Sequence, residues 1–215
     1  MKNKLLNILN MNDVKFIGVT GFARSGKNLY CDVAKEILKK NDISSEIHSL
    51  AYSLKYDCNP FLLKHFNISA FTENTNEKII IRPFLIWFGM EMRRKNNRVW
   101  IEKLSDRLRS VKTDVVFISD VRFSTNELDE LGWLKDELNG KLVHVKKYIR
   151  LPMSDDRKYV GPASDDEEKN DPLMQQRADY FIDWEHIDIE YDLLKKDKRI
   201  VSVVESSLLT LGVLK

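Results

Sequence analysis

An α/β fold with a mainly parallel central sheet is what these 215 residues predict. Three observations carry that expectation. Short apolar or β-branched runs that read as strands alternate with helical segments of ten or more residues. Residues 114–119 (DVVFIS) are apolar without alternation, as a central strand covered on both faces must be. Three of the eight glycines, Gly18, Gly21 and Gly26, fall within nine residues, where the first strand gives way to a helix.

Residues 1–16 hold a short apolar patch among polar residues. The patch is too short for a secretion signal and lacks a small-residue cleavage site, so it reads as a short helix or a surface tail. Residues 14–20 (VKFIGVT) are β-branched and read as a buried strand. Beyond the glycines, Leu29, Val33, Ala34, Ile37 and Leu38 recur at helical spacing, with Asp32, Lys35, Glu36 and Lys39 turned away. Residues 45–50 form a weak second strand, and 52–66 a helical stretch that Pro60 is expected to kink or divide. Residues 66–76 are polar and read as loop. Arg82-Pro83 suits the first turn of a helix, and its continuation over 84–95 is apolar nearly all round, which predicts burial. A second helix covers 99–109 after the Asn96-Asn97 break. The 114–119 strand runs into Asp120, a helix is expected over 125–138, a strand over 141–145 and a short last strand over 178–182. Residues 146–172 are polar, acidic and proline-containing, and read as a functional flap or a disordered insertion. Residues 187–215 are helical in character. The length favours one domain with a full core.

Composition narrows the function. With 35 Lys and Arg against 33 Asp and Glu, the net charge of +2 gives no global electrostatic footprint for nucleic acid or membrane. A hydrophobic content of 43% excludes a disordered chain, and no apolar run approaches the roughly 18–20 residues of a membrane span. Cys31 and Cys58 make neither a disulfide framework nor a zinc site, so a reducing cytoplasm is the expected compartment.

The glycine cluster carries chemistry. Residues 21–28 (GFARSGKN) match seven of the eight positions of G-x-x-x-x-G-K-[ST]. In such a loop Gly21 and Gly26 let the backbone wrap a phosphate with inward-pointing N–H groups, Ala23, Arg24 and Ser25 line it, and Lys27 reaches the β/γ-phosphates of ATP. Asn28 replaces the hydroxyl residue that ligates Mg²⁺, and its amide oxygen is a legitimate ligand for a hard cation. Gly18, inside the strand, reads as a packing position.

Ligands of open parallel sheets bind at the carboxyl ends of strands, which is where Asp120 falls. It suits a metal-holding acid, and Arg122 a phosphate clamp. The alternative is an aspartate capping the next turn beside a solvated arginine. In 82–98, Trp87, Glu91, Arg94 and Arg98 share one helix face, and Arg82, Ile86, Gly89 and Arg93 another. They would suit an anionic ligand, with Gly89 allowing its close approach, unless Glu91 simply pairs with Arg94 or Lys95. Lys55 is either a ligand contact or solvated.

Taken in order, these pieces resemble the bacteriophage deoxynucleoside monophosphate kinases, over roughly residues 14–185. The corresponding segments are GFARSGKN, SLAYSLK, FGMEMRRKNNRVWIEKL, ISDVRFSTNELDELG, LVHVKK, ASDDE and ADYFID. The resemblance implies a three-layer αβα fold of the P-loop nucleotide-binding type, with substrate-binding helices over about 52–110 and a lid over about 147–172. It implies ATP and Mg²⁺ as cofactors, small-molecule substrates and a possible homodimer. Lys27 and Arg24 would handle ATP phosphates, Asp120 and Asn28 the metal, and Arg122 the transferring phosphoryl. Lys55, Arg82, Trp87, Glu91, Arg93 and Arg98 would surround the monophosphate, and Lys147 and Arg150 would belong to the lid. The chain departs from the family at Asn28-Leu29, Ile86, Met90 and Lys147. Two other readings fit the loop: a dephospho-coenzyme A kinase-like enzyme, and a nucleotide-binding module without catalysis.

Overall fold

The computed structural model describes residues 13–124, 129–151, 155–163 and 165–215, except for the side chain of Asp166. The expected N-terminal helix or tail, up to residue 12, and the start of the helix expected over 125–138 lie outside these residues. The chain forms two compact units, one comprising residues up to Ile47 with Val111–Lys215, the other His48–Ser110.

The first unit is the sheet. Strand β1 (Lys15–Thr20) pairs in parallel with β3 (Val115–Ile118) on one side and β4 (Lys141–Arg150) on the other. Strand β6 (Tyr180–Glu185) adds in parallel to β4, and β2 (Ser45–His48) lies beyond β3. The core order is therefore β2-β3-β1-β4-β6, the mainly parallel α/β sheet that the alternating elements predict. All four β3 residues are buried, as a strand covered on both faces requires.

Alternation along the strands assigns two faces. Ile17, Val19, Val115, Phe117, Val143, Val145 and Ile182 pack against α1 (Lys27–Lys40) and the C-terminal α8 (Lys198–Thr210). The helix α1 turns in Leu29, Tyr30, Val33, Ala34, Ile37 and Leu38 and keeps Lys39 and Lys40 in its last turn, where the helix dipole favours cations. Its Tyr30 hydroxyl meets Ser207 Oγ at 3.1 Å. On the other face, a Cβ on Gly18 would meet Leu134, Val121 and Leu142, which makes that glycine a packing position. Leu134 belongs to a short helix: α5 (Glu130–Gly132) passes directly into a π-helical stretch, Trp133–Glu137. A short α7 (Tyr191–Leu194) precedes α8.

The 146–172 region has more structure than its composition suggests. β4 continues five residues past the expected end at 145, because it outruns β1 and finds new partners. Tyr148–Arg150 pair antiparallel with β5 (Arg157–Tyr159), while β6 accompanies β4 as far as Tyr148. Helix α6 (Asp165–Gln176) follows.

The second unit is helical: α2 (Leu50–Phe66), α3 (Thr75–Lys95) and α4 (Val99–Leu108). Pro60 does not divide α2. Helix α3 starts eight residues before the expected Pro83 turn, because the Asn74 side chain accepts the Asn76 and Glu77 N–H groups and caps an earlier start. Pro83 thus lies inside the helix. The expected burial of 84–95 is corrected too. Of α3 only Ile81 and Gly89 are buried, with Ile81 joining Cys58, Leu62, Ile68 and Ala70, whereas Ile86, Trp87 and Met90 are exposed. A Cβ on Gly89 would touch Leu54 of α2, and its carbonyl accepts the Trp100 indole N–H at 3.4 Å. Gly89 therefore serves helix packing within this unit. Among the described residues no helix is long and apolar enough to cross a membrane.

Candidate functional site

β1 hands over to α1 through a loop whose backbone is left-handed at Gly21 (φ 128°), Arg24 (φ 67°) and Gly26 (φ 100°). Two of these positions exclude a side chain on contact grounds as well. A Cβ on Gly21 would lie 2.2 Å from the Val145 carbonyl oxygen, and one on Gly26 2.5 Å from the Trp184 ring. The Trp184 indole N–H donates to the Ser25 carbonyl at 2.8 Å, so β6 supports the loop from beneath. The Ser25 hydroxyl is buried and has no hydrogen-bond partner among the described residues.

Lys27, the first residue of α1, donates its ammonium to the carbonyls of Gly21 (2.7 Å) and Phe22 (2.8 Å). Burial, together with the nearby Arg122 guanidinium, pushes its pKa down to about 8, while Glu167, Asp120 and Asp171 act in the opposite sense. Asn28 is exposed.

Parallel register aligns Gly18 with Ile118, which brings Asp120 to the level of Thr20, at the same sheet end as the loop. Asp120 is half-buried and close enough to act on Lys27 electrostatically. The chain after it is held by Glu130, a buried carboxylate that accepts the N–H groups of Arg122 (2.7 Å) and Phe123 (3.3 Å). That anchoring sets the root of the Arg122 side chain.

The Arg122 guanidinium reaches Glu167 Oε1 of α6 at 3.0 Å. The other carboxylate oxygen of Glu167 accepts the loop N–H of Ala23 at 3.1 Å and the N–H of Ala163 at 3.0 Å. Burial alone would raise the Glu167 pKa, but the Ala163 and Ala23 N–H groups and the Arg122 and Lys27 cations outweigh it and hold the group below the usual carboxylate range. Glu167, Asn170, Asp171 and Met174 stand at i, i+3, i+4 and i+7 and are all buried, so α6 turns a mostly polar stripe inward. Asn170 Oδ1 accepts the Ser124 N–H at 3.5 Å, and Asp171 Oδ1 meets His144 Nε2 at 2.7 Å.

In the lid region, Lys147 is half-buried, and burial together with the charge of Arg24 lowers its pKa. Its carbonyl accepts the Val160 N–H at 2.8 Å. Arg150 lies 3.5 Å from both Asp155 and Glu185, and Arg157 and Tyr159 both reach Asp183 of β6.

The first unit thus brings together Gly21, Ala23, Arg24, Ser25, Gly26, Lys27, Asp120, Arg122 and Lys147. The second unit carries Lys55, Arg82, Trp87, Glu91, Arg93 and Arg98. There Lys55 Nζ sits 5.9 Å from the Phe71 ring centroid, and Trp87 is 56% exposed. Glu91 forms the i,i+3 ion pair with Arg94 at 2.6 Å.

The sequence reading missed five residues: Glu167, Glu130, Trp184 and the buried pair His144 and Asp171. Glu167 falls within ASDDE, but nothing in that run marks one acid over its neighbours.

No family model and no curated protein matches the chain. Among solved structures it is similar to a shikimate kinase from Acinetobacter baumannii in complex with shikimate, at 15% identity and a TM-score of 0.41, covering 93% of this chain and 98% of that one. It is also similar to a dephospho-CoA kinase from Campylobacter jejuni, at 12% identity and a TM-score of 0.35, covering 94% and 99%. The fold class itself stands on the strand order and register described above.

Proposed function

We propose that the chain is a small-molecule kinase that transfers the γ-phosphoryl group of ATP to a deoxynucleoside 5′-monophosphate, giving the diphosphate and ADP. One observation carries the reading: a loop N–H and a guanidinium converge on one carboxylate at the carboxyl end of a parallel sheet, beside a buried lysine. Donors arranged around a carboxylate in this way suit a phosphate oxygen equally well. The orphaned Ser25 hydroxyl and the two glycine positions closed to a Cβ also fit a polyphosphate wrapped closely by backbone.

Phosphoryl transfer through a loose transition state depends on positioning and charge neutralisation more than on covalent chemistry. The loop amides would hold the β-phosphate, Lys27 would leave its two carbonyls to pair with the β/γ-oxygens, and Arg122 would neutralise charge on the group in transit. Asp120 and Asn28 would offer a carboxylate and an amide oxygen to Mg²⁺, which when bound would supply positive charge to offset that of the phosphates. Closure of the hairpin β4–β5 and of α6 would exclude water and suppress ATP hydrolysis. The monophosphate as acceptor rests on the ordered resemblance to the phage kinases and on the cations of α3.

The test is purified protein with ATP and Mg²⁺ against a panel of deoxy- and ribonucleoside monophosphates and dephospho-coenzyme A, with products separated chromatographically. A deoxynucleoside diphosphate is expected, with a loss of at least about 100-fold in Lys27→Ala. Turnover of dephospho-coenzyme A alone would replace the acceptor. No product from any acceptor, with Lys27→Ala indistinguishable from wild type, would remove the kinase reading.

A further inference from the structure

Helix α6 is unusual in what it buries. An amphipathic helix normally turns apolar residues inward, yet three of the four residues in the buried stripe of α6 are Glu167, Asn170 and Asp171. Each has a partner on the sheet unit. Glu167 takes the Ala23 and Ala163 N–H groups and Arg122, Asn170 takes the Ser124 N–H, and Asp171 meets His144. A second feature accompanies the first: Lys27, the loop's own cation, is turned back onto the Gly21 and Phe22 carbonyls. The Ala23 N–H of the loop and the loop cation are both satisfied from within the chain.

We propose that Glu167 is an internal phosphate mimic, a latch whose carboxylate competes with an incoming phosphate for Ala23 N–H and Arg122. The proposal rests on the nucleotide reading above and adds a regulatory residue to that site. The carboxylate and a phosphate oxygen present the same valence to these donors: anionic, acceptor-only and able to take a guanidinium and an N–H together. Both cannot occupy the 3.0–3.1 Å positions at once. Polyphosphate binding therefore has to displace Glu167, releasing the start of α6 and freeing Arg122 for the phosphoryl group. Part of the intrinsic affinity goes into opening the latch, so the observed affinity is lower than the loop alone would give. A latch of this kind also keeps Arg122 and the loop amides in register without a ligand, and ties the position of the lid helix to occupancy of the loop.

The experiment is calorimetric titration of wild type, Glu167→Ala and Glu167→Gln with inorganic tripolyphosphate and, separately, with ATP. Hydrogen exchange at the Ala23 amide and along 165–176 is read in parallel on the free proteins. Glu167→Ala is expected to bind tripolyphosphate about tenfold more tightly or better, and to exchange faster at Ala23 and in α6. Glu167→Gln keeps the shape and one acceptor but loses the charge; it is expected to fall between the two, and it supplies the answer if Glu167→Ala does not fold. Wild-type binding with equal or weaker binding in the variants overturns the latch and makes Glu167 a support for Arg122, while leaving the nucleotide reading intact. Failure of all three proteins to bind either probe overturns the nucleotide reading and the latch with it.

Discussion

The glycine loop and helix α3 are both short segments rich in the residues expected of a phosphate site, yet the fold treats them differently. In the loop, neighbouring elements fix four positions: Val145 and Trp184 forbid a side chain at Gly21 and Gly26, and Ser25 and Lys27 are buried. In α3, Ile79, Ile80, Ile86, Trp87 and Met90 are exposed, Arg82 is exposed, and Glu91 has found a local partner in Arg94. Function concentrated in one contiguous turn is over-determined by its surroundings. A helix face that offers side chains to solvent is free to vary, and its chemistry rests on residue type alone.

If that contrast is right, Gly26→Ala should carry the largest cost. The left-handed backbone costs an L-residue about 1–2 kcal/mol, and the collision with Trp184 adds about 1–3 kcal/mol of overpacking. Urea unfolding should therefore show a loss of about 2–5 kcal/mol; a loss below about 1 kcal/mol would mean that the loop is pliant and the contrast false.

Next in size is a pH effect with two signs. The Lys27 pKa lies at about 8 in the folded chain, against an ordinary value of 10.5. Raising the pH above about 8 removes the ammonium, so tripolyphosphate affinity should fall by up to about tenfold per pH unit until the pKa of the complex is reached. Folding stability should gain over the same interval, because between about 8 and 10.5 the unfolded chain binds the proton and the folded chain does not. Calorimetry and urea midpoints from pH 7 to 10 measure the two slopes, and both should vanish in Lys27→Met. Slopes of the same sign in wild type would show that Lys27 is not the titrating group.

The smallest effect is expected at Gly89→Ala. The added methyl meets Leu54 at 3.3 Å, a side-chain tip that can yield, and a helical alanine recovers about 1 kcal/mol over glycine. Stability should change by less than about 1 kcal/mol. A cost above about 3 kcal/mol would show α3 to be as tightly specified as the loop.

The same contrast explains what the sequence disclosed. The loop was legible because its glycines, lysine, strand and helix are adjacent in the chain, and the strand Val115–Ile118 because full burial leaves no polar position within it. Helix α6 was not, because hydrophobic periodicity registers apolar stripes and is blind to one made of Glu167, Asn170 and Asp171. The extension of β4 to Arg150 was hidden because residues 146–150 (KKYIR) are basic and open a polar run, whereas β6 pairs with Lys146–Tyr148 and β5 with Tyr148–Arg150. For α3, apolar content suggested burial, and the Asn74 cap, eight residues upstream of Arg82, set its start. The roles of Lys55, Arg82, Trp87, Arg93 and Arg98 depend on what α3 meets, and periodicity carries no record of that.

The indole of Trp184 rests under Gly26 and donates to the Ser25 carbonyl. The loop therefore carries its own chromophore. With Trp87, Trp100 and Trp133 replaced by phenylalanine, the emission of this one ring would follow the loop in real time, giving a kinetic view of each arriving anion without a label.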